Sequence, residues 1–284
     1  MRKYRCDIIT IHKSFRTIGV KIIFSIIRQK LIIYINYPLK FINTSLNEIV
    51  RIVFFIVFWK LVLSSARADS NFVQIGISQI VSYYLITGGI ATLTQIFKQK
   101  LGATLRKTIK SGQISDFLIK PVPLQPSIYA SVFGERIINN IVALTGIIAG
   151  FLISPPLSIY SILLFFIYFA FSLVISYSIN LFEGILTFHF GNPGGIMNGI
   201  AHAGRILSGL MIPITFFPEK IRSIVEITPF AIAIFHPSTA LTIESVGPTQ
   251  IRIILWGIFW CALLTLTTQI LWKKGLRKYE AAGL

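Results

Sequence analysis

The chain has 284 residues, of which 54% are hydrophobic and only 13% charged, and its mean hydropathy is +0.74. That apolar excess lies outside the range of a soluble domain of this length and falls in separate runs of roughly 20 residues, each long enough to cross a hydrocarbon core of about 30 Å as a helix. The formal charge of +17 does not point to nucleic acid, because the Lys and Arg residues flank apolar runs instead of building a basic soluble domain.

A porin-like barrel needs short strands of alternating polarity, and runs such as Ile159 to Ile179 do not alternate. From Phe15 to Ile35 the apolar Ile18, Ile22, Phe24, Ile26 and Ile27 are interleaved with Arg16, Lys21, Arg28 and Lys30, a pattern that reads as an interfacial helix. Residues 1–30 carry eight Lys or Arg and no small-residue cleavage site, so the first span is expected to direct insertion itself. That span covers about Asn43 to Leu63 and contains Glu48, Arg51 and Lys60. Glu48 and Arg51, three residues apart, share a helix face and offset each other's charge.

The second span, about Gly76 to Phe97, holds Tyr83, Tyr84 and the glycines Gly88 and Gly89, where another helix can approach closely. Lys98 to Lys120 is the largest internal basic loop, with six Lys or Arg against the single acid Asp116, closed by Pro121, Pro123 and Pro126. The third span, about Ser127 to Ile153, has Glu135 and Arg136 in its first half, and a Pro155-Pro156 turn leads to the fourth, about Leu157 to Phe182. After Glu183 and His189, the Gly191-Asn192-Pro193-Gly194-Gly195 turn stops any helix.

The fifth span, about Ile196 to Phe217, contains His202 and Arg205 and ends in Pro213 and Pro218. The stretch that follows carries Pro229, Pro237 and Pro248 and reads as a pair of short half-helices dipping into the outer leaflet. The sixth span, about Thr249 to Trp272, precedes Lys273, Lys274, Arg277 and Lys278. The expected fold is therefore an all-α integral membrane protein with six transmembrane helices, an N-terminal interfacial helix and a re-entrant helical segment between spans 5 and 6. It forms one transmembrane domain over 1–284, with residues 1–40 interfacial and 41–284 the six-span bundle.

Six spans place both termini on one side. Nine Lys or Arg up to Lys40, six in the Lys98 to Lys120 loop and four in the C-terminal tail lie on that side, against Arg67, Lys220, Arg222 and Arg252 on the other. The positive-inside rule then makes the termini cytoplasmic, in a multi-pass protein of the plasma (inner) membrane. Trp256, Trp260 and Trp272 suit interface anchoring.

Catalytic signatures are absent: the sequence has no His-Glu-x-x-His helix and no serine elbow, and His12, His189, His202 and His236 fall in different segments. Cys6 and Cys261 lie far apart in the chain, so neither a disulfide nor a metal site is expected. There is no Gly-x-x-x-x-Gly-Lys-Ser/Thr loop to cradle nucleotide phosphates, so no cofactor is expected on this chain and any ATP must be bound by another. An ion-coupled secondary carrier or channel is the alternative, with Glu48 and Glu135 as its relay groups, although no internal repeat accompanies them. A membrane-embedded enzyme or scaffold is a third class.

Several segments resemble, in order and spacing, the six-span membrane subunits of ABC-2-type exporters, in particular the daunorubicin-resistance-like permeases. They are Ser82-Tyr83-Tyr84-Leu85, Ser111-Gly112-Gln113-Ile114, Leu118-Ile119-Lys120-Pro121-Val122, Leu207 to Pro213 with Phe216-Phe217-Pro218, Thr228-Pro229-Phe230, His236-Pro237 and Gly275 to Gly283. One departure is Leu186-Thr187-Phe188-His189-Phe190, where the family usually shows a Phe-Trp segment.

The resemblance implies a non-catalytic half-transporter for a hydrophobic or amphiphilic substrate such as a drug, lipid or glycan. It would work as a homodimer, or a heterodimer with a homologous permease, with an ABC ATPase on its cytoplasmic face and membrane lipid around it, and without nucleic acid. Gly112, Ile114, Asp116 and Leu118 would then belong to the ATPase-coupling loop, and Gly209, Pro213, Pro218 and Pro229 to the outer re-entrant gate.

Overall fold

A computed structural model describes residues 24–33, 35–36, 46, 50, 53–55, 57–62, 76–97, 100–113, 124–154, 158–191, 193–242 and 249–281. Among them the regular structure is entirely helical. In chain order the elements are α1 (Ile77–Thr94), α2 (Lys100–Lys110), α3 (Leu124–Glu135), α4 (Ile137–Ile153), α5 (Ile159–Phe190), α6 (Gly194–Leu207), a 3-10 turn (Ile214–Phe216), α7 (Glu219–Val225), α8 (Pro229–Ala233), α9 (Phe235–Ala240) and α10 (Thr249–Ala281). Residues 24–33 and 57–62 are also helical.

α5 and the described part of α10, Thr249–Arg277, are long and apolar enough to cross a membrane. α3 and α4 form a third candidate, bent by 68° at their junction. A straight span from Ser127 to Ile153 is therefore not formed: the chain turns at Arg136, whose backbone leaves the helical region with φ −116° and ψ 7°. Glu135 does not pair with Arg136. It accepts from Lys30 at 3.3 Å, and Gly134 lets the backbone at Ile27 lie against α3.

α5 is the hub, packed against α10, α2, α8, α9 and α1. Its start is set by Ser158, whose hydroxyl accepts from the Ser161 amide, and its end by Gly191 at φ +63°. It runs through Glu183 to Phe190, past the expected end at Phe182, about 48 Å in all. α1 crosses α4 where Gly89 faces Ile147 and Ala143, while Gly150 faces Ile86 and the Ser82 carbonyl. The close approach expected at the Gly88-Gly89 pair is thus made by Gly89.

α6 is a 14-residue helix of about 21 Å that ends at Leu207, so no continuous helix reaches the expected Phe217. From there to Thr242 the chain is broken into the 3-10 turn and α7, α8 and α9. The last two are buried: Ala231, Ile232, Ala233 and Ile234 have no exposed surface, and the last three pack with Ile86, Ile90 and Ile175 in the central core.

Candidate functional site

Of the four coupling-loop positions, Ile114, Asp116 and Leu118 lie outside the described residues, as do Cys6, Glu48, Arg51, Arg67, Lys98, Lys120, Pro121, Pro123, Pro155, Pro156 and Pro248. Gly112 is described. It ends α2 at φ +73°, its amide donating to the Ile109 carbonyl, and no atom lies within 4 Å of where a Cβ would stand. A left-handed turn in open space is where glycine is favoured and a larger residue is strained by its backbone alone.

α2 itself is amphipathic. Leu101, Leu105 and Ile109 recur every four residues and are buried with Leu124, Ile128 and Val132 of α3, Leu181 and Ile185 of α5, and Trp272 and Leu276 of α10. Gly102 lets α2 meet α5 at the Asn180 carbonyl and the Glu183 side chain, and Gly184 makes the reciprocal space for Leu105. Between the two glycines, Arg106 Nη1 lies 3.3 Å from Glu183 Oε1; the carboxylate is 1% exposed and the guanidinium 27%. A buried acid of this kind persists only when paired.

Lys107 and Lys110 on α2, and Lys273, Lys274 and Arg277 on α10, remain exposed at the same end of the bundle. The structure thus gathers the basic groups that the sequence spread over two segments. Arg106, Glu183 and the two glycines went unrecognised in the sequence. Only the four-residue spacing of Leu101, Leu105 and Ile109 signalled a docked helix there.

The four positions expected in the outer segment lie in a second region. Gly209 is at φ +76°, and a Cβ there would meet the Tyr83 hydroxyl, Ile214 and Phe235. Pro213 precedes the 3-10 turn, Pro218 precedes α7, and Pro229 opens α8 after Thr228, whose hydroxyl accepts from the Ala231 amide at 3.3 Å. Each proline begins a helix, where its missing N–H costs nothing.

Tyr83 Oη donates to the Gly209 carbonyl at 2.7 Å and Tyr84 Oη to the Met211 carbonyl at 2.8 Å, while Trp59 Nε1 donates to Tyr84 Oη at 2.6 Å. Further along, Ser172 Oγ reaches the Ala233 carbonyl at 2.5 Å, Trp260 Nε1 the Ile227 carbonyl at 2.8 Å, and Ser154 Oγ the Leu241 carbonyl at 2.7 Å. His236 Nε2 donates to the Glu226 carbonyl at 2.8 Å. Short helices leave their last carbonyls without intrahelical partners, and the side chains of α1, α5 and α10 supply them. His202 sits 2.7 Å from the Asn198 carbonyl on its own helix, and Arg205 donates to the Phe97 carbonyl at 3.4 Å, so both unassigned residues of α6 have structural partners.

The sequence profile of the ABC-2 family transporter proteins matches residues 49–283, which is most of the chain. The chain therefore belongs to that family of ABC transporter permeases, as an integral membrane protein with apolar spanning helices. No curated protein gives a significant match to it.

Proposed function

We propose that this chain is the membrane-spanning, non-catalytic subunit of an ATP-driven exporter. It has six spans, a re-entrant outer segment at Ser208–Thr242 and both termini in the cytoplasm, and it moves a hydrophobic or amphiphilic substrate out of the cell. The observation that carries the reading is α2, a basic amphipathic helix pinned to α5 by the Arg106–Glu183 pair with Lys107 and Lys110 facing outward. A helix so anchored moves with the long apolar helix behind it. A separate ATPase docking on its exposed side and on the adjoining loop through Asp116 has a direct mechanical path to the substrate route. Gly209, held by Tyr83, and the three prolines that follow it close the opposite end.

Two such chains, alike or homologous, flank the path, and two ATPase subunits bind and hydrolyse ATP. The test is affinity purification of the tagged chain in mild detergent, with and without Asp116→Arg. The expected result is a co-purifying Walker-motif ATPase that is lost on the substitution while the permease stays folded. A folded, ATPase-free oligomer from the unaltered chain overturns the reading and leaves the ion-coupled carrier or channel.

A further inference from the structure

A cleft opens at the basic end between α1, α2, α3 and α5. It is open on one side, its inner cavity is about 20 Å³, and it is lined by Leu93, Gln95, Leu101, Tyr129, Tyr177 and Asn180, among others. Two side-chain oxygens of its lining residues, Gln95 Oε1 and Asn180 Oδ1, are buried and have no hydrogen-bond donor among the described residues. Asn180 is 3% exposed, and its amide nitrogen is already committed, at 2.8 Å to the Ser176 carbonyl and 3.3 Å to the Gln95 carbonyl. Those two bonds fix the amide orientation and leave only an acceptor for an incoming group. Gln95 has the only positive φ, +55°, of any described residue other than glycine. Backbone strain of that kind persists where surrounding structure enforces it.

Two buried acceptors without donors are a deficit that a donor-rich ligand fills. A cavity of that volume takes a group of water or ammonium size and is too small for a sugar ring. The aromatic rings of Tyr129 and Tyr177, in edge-on contact, form one wall and suit a cation over a ring face. Tyr129 and Phe133 are 44% and 38% exposed, so the open side meets the apolar exterior of the bundle, where acyl chains lie. Lys107, exposed on α2 between one and two turns after Leu101, carries the charge that a lipid phosphate seeks.

We infer that the cleft binds the primary-ammonium headgroup of an aminolipid, with the N–H donors on Asn180 Oδ1 and Gln95 Oε1 and the acyl chains along α3. A zwitterionic headgroup brings its own counter-charge, so no further acid is needed. The inference does not depend on an ATPase partner, and its test needs only the purified chain.

The full chain is placed in nanodiscs of equal phosphatidylethanolamine and phosphatidylcholine, and the lipids retained on gentle extraction are counted by native mass spectrometry. The two headgroups share a phosphate and a positive nitrogen, but only the first has N–H donors. Retention should favour phosphatidylethanolamine by about tenfold, the scale of a charge-assisted hydrogen bond. Gln95→Met, which keeps length and removes the acceptor, should bring the ratio near unity, and so should Tyr129→Leu at a half-exposed position that folding tolerates.

Equal retention of both lipids by the unaltered chain overturns the inference and makes the orphan oxygens a water site. A preference that survives both substitutions places the lipid elsewhere and overturns it equally. Soluble phosphoethanolamine, added to lipid-free protein in detergent, separates the sources of the ammonium: no binding is expected, and tight binding without a lipid preference would assign the cleft to a water-soluble amine.

Discussion

The basic end of the bundle and the broken segment from Ser208 to Thr242 are held by opposite kinds of polar contact. At the basic end one buried ion pair, Arg106 to Glu183, sits among apolar side chains and leaves Lys107 and Lys110 free at the surface. In the broken segment neutral hydroxyl, indole and imidazole groups reach backbone carbonyls, from Tyr83 and Tyr84 at Gly209 and Met211 to Trp260 at Ile227. The difference follows from helix length. α2 satisfies most of its own backbone and needs only an anchor, whereas α7, α8 and α9 end so often that their carbonyls depend on neighbours. One end is thereby an anchored helix with charge at its surface, and the other a set of short pieces whose position is set residue by residue.

The comparison breaks most readily at the ion pair. Arg106→Ala strands the Glu183 carboxylate in the apolar cluster and should destabilise the fold by about 3 kcal/mol, measured by thermal unfolding in detergent. Adding Glu183→Gln should recover much of that loss, because the stranded charge is then gone. Next comes Gly209→Ala, which forces a Cβ into a left-handed residue against the Tyr83 hydroxyl. A cost of about 2 kcal/mol is expected, confined to faster amide exchange between Ser208 and Thr242.

Tyr84→Phe removes the acceptor for Trp59 and the donor to Met211, and should cost about 1 to 2 kcal/mol with the same local signature. The smallest effect on stability belongs to Lys107→Glu with Lys110→Glu, both exposed, at less than about 0.5 kcal/mol. These two should instead weaken retention of the ATPase, and more so at low ionic strength, where surface charge is screened least.

Much of the bundle was legible in the sequence because its punctuation is local. α1 begins after Gly76 and α10 at Thr249, as expected, and Gly191, Gly209, Pro218 and Pro229 stand at breaks. What was not legible depended on distant partners. Glu183 reads as the end of a span when its charge is taken alone, yet α5 continues because Arg106, 77 positions earlier, neutralises it. Glu135 reads as a relay group of a carrier when taken alone, yet it pairs with Lys30, far from it in sequence, and the chain bends between α3 and α4. α10 outlasts its apolar run and stays helical through Ala281, since Lys and Arg are good helix formers. Tyr83 and Tyr84 were singled out as a motif, but their targets, more than 120 residues away in sequence, appear only in the fold.

Docking of an ATPase at the end of the bundle that bears α2 can be tested by cross-linking. In a chain with Cys6 and Cys261 replaced by Ser, single cysteines at Lys110→Cys and Lys220→Cys would be treated with a short bifunctional thiol cross-linker after co-expression with the ATPase. Cross-linking at position 110, its loss on Asp116→Arg, and none at position 220 is the result predicted. Cross-linking at position 220 with none at 110 would put the partner on the opposite face and contradict the account.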